Sequence, residues 1–388
     1  DAGGAGGSSA GARDAPRGTQ VVAMSATLPN AAQIAGWLHA AVKEADFRPV
    51  ALKQYTFSLR GGQLEAVPAP ASAGAPHGPS RGRAMVGRRL IGPLTPNDAG
   101  CLGALCAEVA HSLNGPQDVL VFCPTKKGAE GAAARVAAAF GEKGLRAPPE
   151  VQQQRVALLS ELERAMWPLD LRQLGDEPPP SLQALRKTLP HGVAFHHAGL
   201  DNEARELVEM GFRRPGTVCV LCSTSTLSAG VNLPCSRVVI TSCQDYGDKG
   251  WQFLKSTRYR QMSGRAGRTG LCSQGESILC VENDTEKRKA EEMMRALPEP
   301  LCSHLGEAAP HALCRFVLDA VACGQASDSS RLRQALCCTL AHHQLRVSEH
   351  PDARRALDDA IGAQLAWLTV RRLLSHNAQT LTWKQTTL

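Results

Sequence analysis

Five short apolar runs, separated by stretches of helical spacing, organise the middle of the chain. Val119–Cys123 reads VLVFC, an unbroken apolar run with no alternation. A run that short and continuous predicts a strand buried on both faces of a parallel sheet. Gly192–Phe195, Val218–Cys222, Arg237–Thr241 and Gly275–Val281 predict strands in the same way. Leu102–Leu113, Lys126–Phe140 and Asp201–Phe212 have helical spacing, and Asp201 stands where an N-cap is needed. Strands alternating with helices predict an α/β fold with a doubly wound parallel sheet over 99–298.

The texture changes beyond Arg288. Helical patterns fall near 307–323, 328–342 and 351–375, and Leu357, Ile361, Leu365 and Leu368 form a core-facing stripe in the last. With the extended stretch Gln379–Leu388, they predict a small, mostly α winged-helix domain over 299–388, truncated near its wing. Residues 1–18 are low-complexity Gly, Ala and Ser and predict no fold. Residues 60–98, rich in Gly, Pro, Ala and Arg, read as a flexible basic insertion or linker, and 141–180 as a poorly patterned connector. An apolar run from Val21 ends in Ser25-Ala26-Thr27-Leu28-Pro29, and a helical pattern with Ile34, Trp37 and Leu38 on one face follows it.

Composition adds bounds. Hydrophobic residues make up 43% of the chain but aromatics only 4%, so the core is built from Leu, Val and Ala. The net charge of +7 permits an acidic partner without demonstrating one. Of 14 Cys, only Cys219 and Cys222 stand at C-x-x-C spacing, inside an apolar run, so they read as strand core. No zinc spacing accompanies them, no metal site is expected, and the scattered thiols suit a reducing compartment. No window of about 18 apolar residues predicts a membrane span. The first residue is Asp rather than Met, which reads as a fragment or a processed piece.

The candidate chemistry lies in four segments. Tyr259–Gly270 reads YRQMSGRAGRTG. Gly264 and Gly267 remove bulk so that backbone can lie close to another surface, while Arg265 and Arg268, three apart, can reach one target. Paired guanidiniums at a cleft edge suit the charge that develops on a transferring phosphoryl group. Ser223–Pro234 (STSTLSAGVNLP) follows a strand, where doubly wound sheets place ligand loops. In Ala194–Leu200 (AFHHAGL), His196 and His197 are adjacent and face opposite sides of a strand, so they cannot share a metal. A nucleic-acid contact and a role bracing the lobe both remain open for them. Ser25-Ala26-Thr27 offers two hydroxyls after an apolar run.

Taken in order, SATLPN, FRPV (Phe47–Val50), VLVFCPTKK (Val119–Lys127), AFHHAGL, TSTLSAGVNLP and QMSGRAGR resemble the superfamily-2 helicases, in the group formed by the helicase domain of DNA polymerase theta and its close helicase relatives. The resemblance runs from about residue 20 to 388. It implies the second RecA-like lobe of a nuclear, ATP-dependent 3′-to-5′ DNA helicase acting in DNA repair, with 19–59 closing a first lobe and crossing over. It places Gln261, Arg265 and Arg268 at the ATP γ-phosphate. Gly230 and Asn232, with Gly264 and Gly267, would lie at the nucleotide cleft. Thr125, His197, Thr224 and Thr226 would lie toward single-stranded or duplex DNA, and Ser25 and Thr27 would couple the lobes. Trp251 or Phe253, within Thr241–Thr257, would either stack on the last base pair or anchor a loop on the lobe.

The chain departs from the family in lacking G-x-x-x-x-G-K-[ST] and D-E-x-H, the parts that grip ATP and Mg²⁺. An N-terminal RecA-like lobe would have to supply them, so the chain alone is expected to be inactive. Two rival readings stand beside this one: a non-catalytic module that binds nucleic acid or a partner, and an RNA helicase of the same superfamily.

Overall fold

The computed structural model describes residues 22–25, 28–44, 50–67, 88–112, 117–175, 177–228, 233, 235–247, 250–267, 274–297, 299–305, 310–347, 351–377 and 382–385. In chain order the elements begin with α1 (Ala31–Leu38), β1 (Ala51–Ser58), β2 (Gln63–Val67), β3 (Arg88–Leu90), α2 (Leu102–Ala110), β4 (Val119–Cys123) and α3 (Lys126–Glu142). Next come α4 (Pro149–Met166), α5 (Leu169–Gln173), α6 (Pro180–Thr188), β5 (Val193–His196), α7 (Asn202–Arg213), β6 (Val220–Thr224) and β7 (Arg237–Ile240). The hairpin β8 (Gln244–Gly247) and β9 (Gly250–Phe253) leads into α8 (Ser256–Ser263), β10 (Gln274–Val281) and α9 (Asp284–Arg295). Last are α10 (Pro310–Ala322), α11 (Ser329–Cys337), α12 (Leu340–Val347), α13 (Pro351–Val370), β11 (Leu374–Asn377) and β12 (Thr382–Gln385).

Two compact units result, residues 43–299 and residues 1–42 with 300–388. The first is an eight-stranded sheet in the order β3-β2-β1-β10-β7-β4-β6-β5. From β1 to β5 every neighbouring pair is parallel. The apolar runs became central strands because both of their faces are covered: β4, β5, β6 and β7 are buried at every position. Helix α3 packs on them through Ala129, Ala132, Ala133, Val136 and Phe140, small residues that let helix and sheet approach closely.

The structure departs from the sequence expectation in three segments. Residues 51–58, expected within a first-lobe and crossover segment 19–59, form β1, which pairs parallel with β10 inside this sheet because it meets an open strand edge there, while α1 belongs to the other unit. Residues 60–98 are not wholly a linker, because β2 pairs antiparallel with β1 and β3 with β2, extending the sheet at its β1 side. The 141–180 connector holds the 18-residue helix α4, whose buried face is Arg155, Leu158, Leu162 and Met166. Its pattern is masked by the buried Arg155, which donates to the carbonyls of Pro190, Gly216 and Thr217 at 2.9–3.0 Å. Three backbone acceptors offset the desolvation of that guanidinium.

The second unit has its own core of Leu313, Val317, Leu332, Leu336, Ile361, Leu365 and Leu368. The expected stripe on α13 is thus core at positions 361, 365 and 368, and the structure does not describe the side chain at 357. The 328–342 pattern divides into α11 and α12, and β11 pairs with β12 as a hairpin wing. Helix α1 belongs to this unit: Trp37 Nε1 donates to the Cys338 carbonyl at 2.8 Å, and Asn30 exchanges two hydrogen bonds with Leu301. No described helix is long and apolar enough to cross a membrane.

Candidate nucleotide and nucleic-acid faces

The expected site residues fall at opposite ends of the parallel strands. At the carboxyl ends, Thr125 follows β4 and N-caps α3, its Oγ1 accepting from the Gly128 N–H at 3.0 Å. Thr224 ends β6 and is buried, while Ser225 opens the turn after it. His196 and His197 do diverge, as strand geometry requires. His196 ends β5 and meets Glu209 of α7 at 3.0 Å; burial pushes its pKa down and Glu209 pulls it partly back. His197 meets Glu130 of α3 at 3.0 Å.

Nδ1 of His197 accepts from the Gly199 N–H at 3.1 Å, so in the neutral ring Nε2 carries the proton and donates to Glu130. Both ring nitrogens are thereby engaged and the ring is only 3% exposed. These bonds pin the 197–200 turn to α3, which favours the bracing alternative for this side chain. Sequence reading missed Glu130 and Glu209, since only the packing of α3 and α7 around β5 brings them there.

The β8–β9 hairpin rises from the carboxyl end of β7. Its base closes where the Leu254 N–H donates to the Cys243 carbonyl at 2.8 Å. The two aromatic candidates now separate. Phe253 is partly buried against the core of the sheet. Trp251 is 56% exposed and meets Tyr246, itself 59% exposed, edge to face at 5.5 Å.

At the amino ends lies the Gly/Arg segment. Helix α8 buries Tyr259, Met262 and Ser263, exposes Gln261, and ends at Gly264. The chain beyond it is fastened to Cys235, two residues before β7: the Cys235 N–H donates to the Arg265 carbonyl at 3.0 Å, and the Gly267 N–H to the Cys235 carbonyl at 2.7 Å. This one-residue parallel bridge between Cys235 and Ala266 joins the end of the 223–234 loop to the arginine segment. Gly267 has φ +107°, open to glycine, and a Cβ at Gly275 would come within 2.6–2.8 Å of backbone at 266 and 267. The two glycines therefore let three backbone segments touch. Arg265 is half-buried there, and burial lowers the pKa of its guanidinium.

Ser25 is described and exposed. Thr27, Gly230, Asn232 and Arg268 lie outside the described residues, as does the side chain of Thr226. Among the described residues no group of three or more His, Cys, Asp or Glu could hold a metal ion. Cys219 and Cys222 are buried strand-core thiols, the former pushed up to about 11 by burial.

A doubly wound sheet followed by a winged-helix unit is the class the fold defines, and comparison with known proteins narrows it. Residues 172–270 match the family described as helicase conserved C-terminal domain, and residues 275–375 the family described as helix-turn-helix domain. The chain is 34% identical over 366 residues to DNA polymerase theta of Mus musculus, covering 90% of this chain and 13% of that protein. It is 32% identical over 287 residues to a Helicase POLQ-like protein of Homo sapiens, covering 74% and 23% respectively. With the ATP-dependent DNA helicase Hel308 of Pyrobaculum calidifontis it shares 32% identity over 337 residues, covering 85% and 41%. These matches liken the chain to the helicase C-terminal domain and the helix-turn-helix domain of superfamily-2 helicases. It spans less than half the length of each of these relatives.

Proposed function

We propose that the chain is the second motor lobe and winged-helix part of an ATP-dependent 3′-to-5′ DNA helicase acting in nuclear DNA repair. Its amino-end face presents Gln261, Arg265 and Arg268 to a nucleotide held by a first lobe. Its carboxyl-end face, with Thr125, Thr224, Thr226 and Trp251, meets DNA. The reading rests on the Cys235–Ala266 bridge, which fixes Arg265 beside the end of the 223–234 loop at a half-buried position. A partly desolvated guanidinium gains more from a phosphate than one in bulk water, because little solvent screens the pair.

ATP with Mg²⁺ supplies the phosphoryl bond that is broken. The residues of this chain fit only the far side of that group, because the sequence contains no Gly-Lys pair for a phosphate loop. Arg265 and Arg268 complete the site when a first lobe closes on this one, which links hydrolysis to stepping. Ser25 and Thr27 sit on the segment that would carry that movement.

The test is single-strand-stimulated ATPase of the full-length motor and of this chain alone. Arg265→Ala in the full-length protein lowers kcat about 10³-fold, at the low end for an arginine that stabilises phosphoryl transfer, with nucleotide binding retained. The isolated chain turns over no ATP. Robust turnover by the isolated chain, or a kcat unmoved by Arg265→Ala, would overturn the reading. Stimulation by single-stranded RNA but not DNA would shift the substrate class.

A further inference from the structure

Helix α8 has two ends with different neighbours. Its last turn runs into Arg265 and the bridge to Cys235. Its first turn carries Arg258, which reaches two other elements. Nη2 of Arg258 donates to the Ser225 hydroxyl in the turn after β6. Nε of the same side chain lies 2.8 Å from Asp245 Oδ2, at the base of the β8–β9 hairpin.

A guanidinium is planar and presents donors on two edges, so one Arg can hold two acceptors at once where a Lys cannot. Arg258 and Gln261 are three residues apart and share a face of α8. A rotation or slide of α8 imposed at its Arg265 end is therefore carried to Ser225 and Asp245 together. At about 1.5 Å per residue, the eight residues of α8 span about 12 Å. That is close to the length of the four-residue strand β7, which also leads from Cys235 to the hairpin.

The pair adds little to the fold. The side chain of Arg258 is 42% exposed and that of Asp245 17%, and a pair with one partner this open to water contributes modestly to stability. The hairpin is otherwise fastened by the Leu254–Cys243 backbone bond and the packing of Phe253. The contact instead selects an orientation of the hairpin, and hence of exposed Trp251.

We propose that Arg258 is a positioning residue that couples the arginine segment to the β8–β9 hairpin, so that its loss separates ATP hydrolysis from duplex opening. The inference rests on the helicase reading above.

The experiment measures, in the full-length motor, single-strand-stimulated ATPase and base pairs opened per ATP for Arg258→Ala, Arg258→Lys and Asp245→Ala. The exchange Arg258→Asp with Asp245→Arg is the fourth variant. In the single variants ATPase stays within about twofold of the unmutated protein, melting is unchanged, and base pairs opened per ATP fall at least tenfold for Arg258→Ala. The lysine variant, able to hold one acceptor, falls in between, and the exchange recovers most of the loss. Equal loss of both activities, or unwinding unmoved by Arg258→Ala, overturns the coupling while leaving the helicase reading intact. Absence of stimulated ATPase in the unmutated protein overturns both.

Discussion

The two ends of the parallel strands are built by different means. At the amino ends of β7 and β10 the work is done by backbone: Cys235, Ala266, Gly267 and Gly275 meet main chain to main chain, and Arg265 is the side chain this frame displays. At the carboxyl ends side chains do it: Thr125 caps α3, His196 and His197 hold α7 and α3, and the hairpin exposes Trp251 and Tyr246. A backbone frame cannot be tuned gradually, since a single added carbon collides with atoms that cannot rotate away. A side-chain face can lose one member and keep its shape. Under the proposed function, the contrast suits a charge-stabilising group that needs one fixed position and a polymer-contacting edge that must let its ligand slide.

Three substitutions or conditions break or sharpen this contrast, in falling order of expected effect. Gly275→Ala pushes β10 away from the 265–267 segment, since its Cβ meets backbone at 2.6 Å. Chemical denaturation should show a loss of about 1–3 kcal/mol, the cost of forcing bulk into a packed site, and ATPase of the full-length motor should fall as Arg265 moves. An unchanged denaturation midpoint would show that the amino-end frame is softer than its contacts imply. Trp251→Ala at the other end should leave melting and ATPase nearly unchanged while slowing strand separation. Base–aromatic stacking of about 1–3 kcal/mol corresponds to roughly a five- to 150-fold effect; unwinding at the normal rate would remove Trp251 from the DNA edge.

The smallest effect is pH dependence. Burial lowers the pKa of His111 ahead of β4, His191 ahead of β5 and His196 at the end of β5. An unfolded imidazole titrates near 6.5, so below that pH the unfolded chain binds more protons than the folded one. Stability present above about pH 6.5 is therefore lost as pH falls toward the folded-state values. Melting temperature should drop between pH 7.5 and 5.5, and His196→Gln should flatten part of that slope. A flat profile would mean these rings are solvated.

The central strands were readable because burial on both faces leaves a continuous apolar run, as in VLVFC, whatever the surroundings. Strand β1 was not, because ALKQYTFS mixes exposed, half-buried and buried positions beside an added antiparallel pair. Strands β2 and β3 lie within a Gly/Pro-rich span, and what makes them strands is an open hydrogen-bonding edge contributed by β1. Helix α4 hid behind Arg155, which only three distant carbonyls make buriable. At the site, the Q-x-x-G-R-x-G-R spacing marked Arg265, and the aromatic residues of 241–257 marked the hairpin. Nothing in the sequence chose between Trp251 and Phe253, or between a ligand contact and a brace at His197.

What the sequence determined by itself were the features set by local chemistry: short buried strands, the cap at Asp201, the glycine-spaced arginines, and the helical texture after Arg288. What only the tertiary structure decided were the meetings of residues far apart in the chain. Cys235 with Arg265, Arg258 with Ser225 and Asp245, and His197 with Glu130 all depend on sheet order and crossover packing. The physical reason is that a residue's propensity is fixed by its own covalent structure, whereas a hydrogen-bond partner is fixed by which element the whole fold sets beside it.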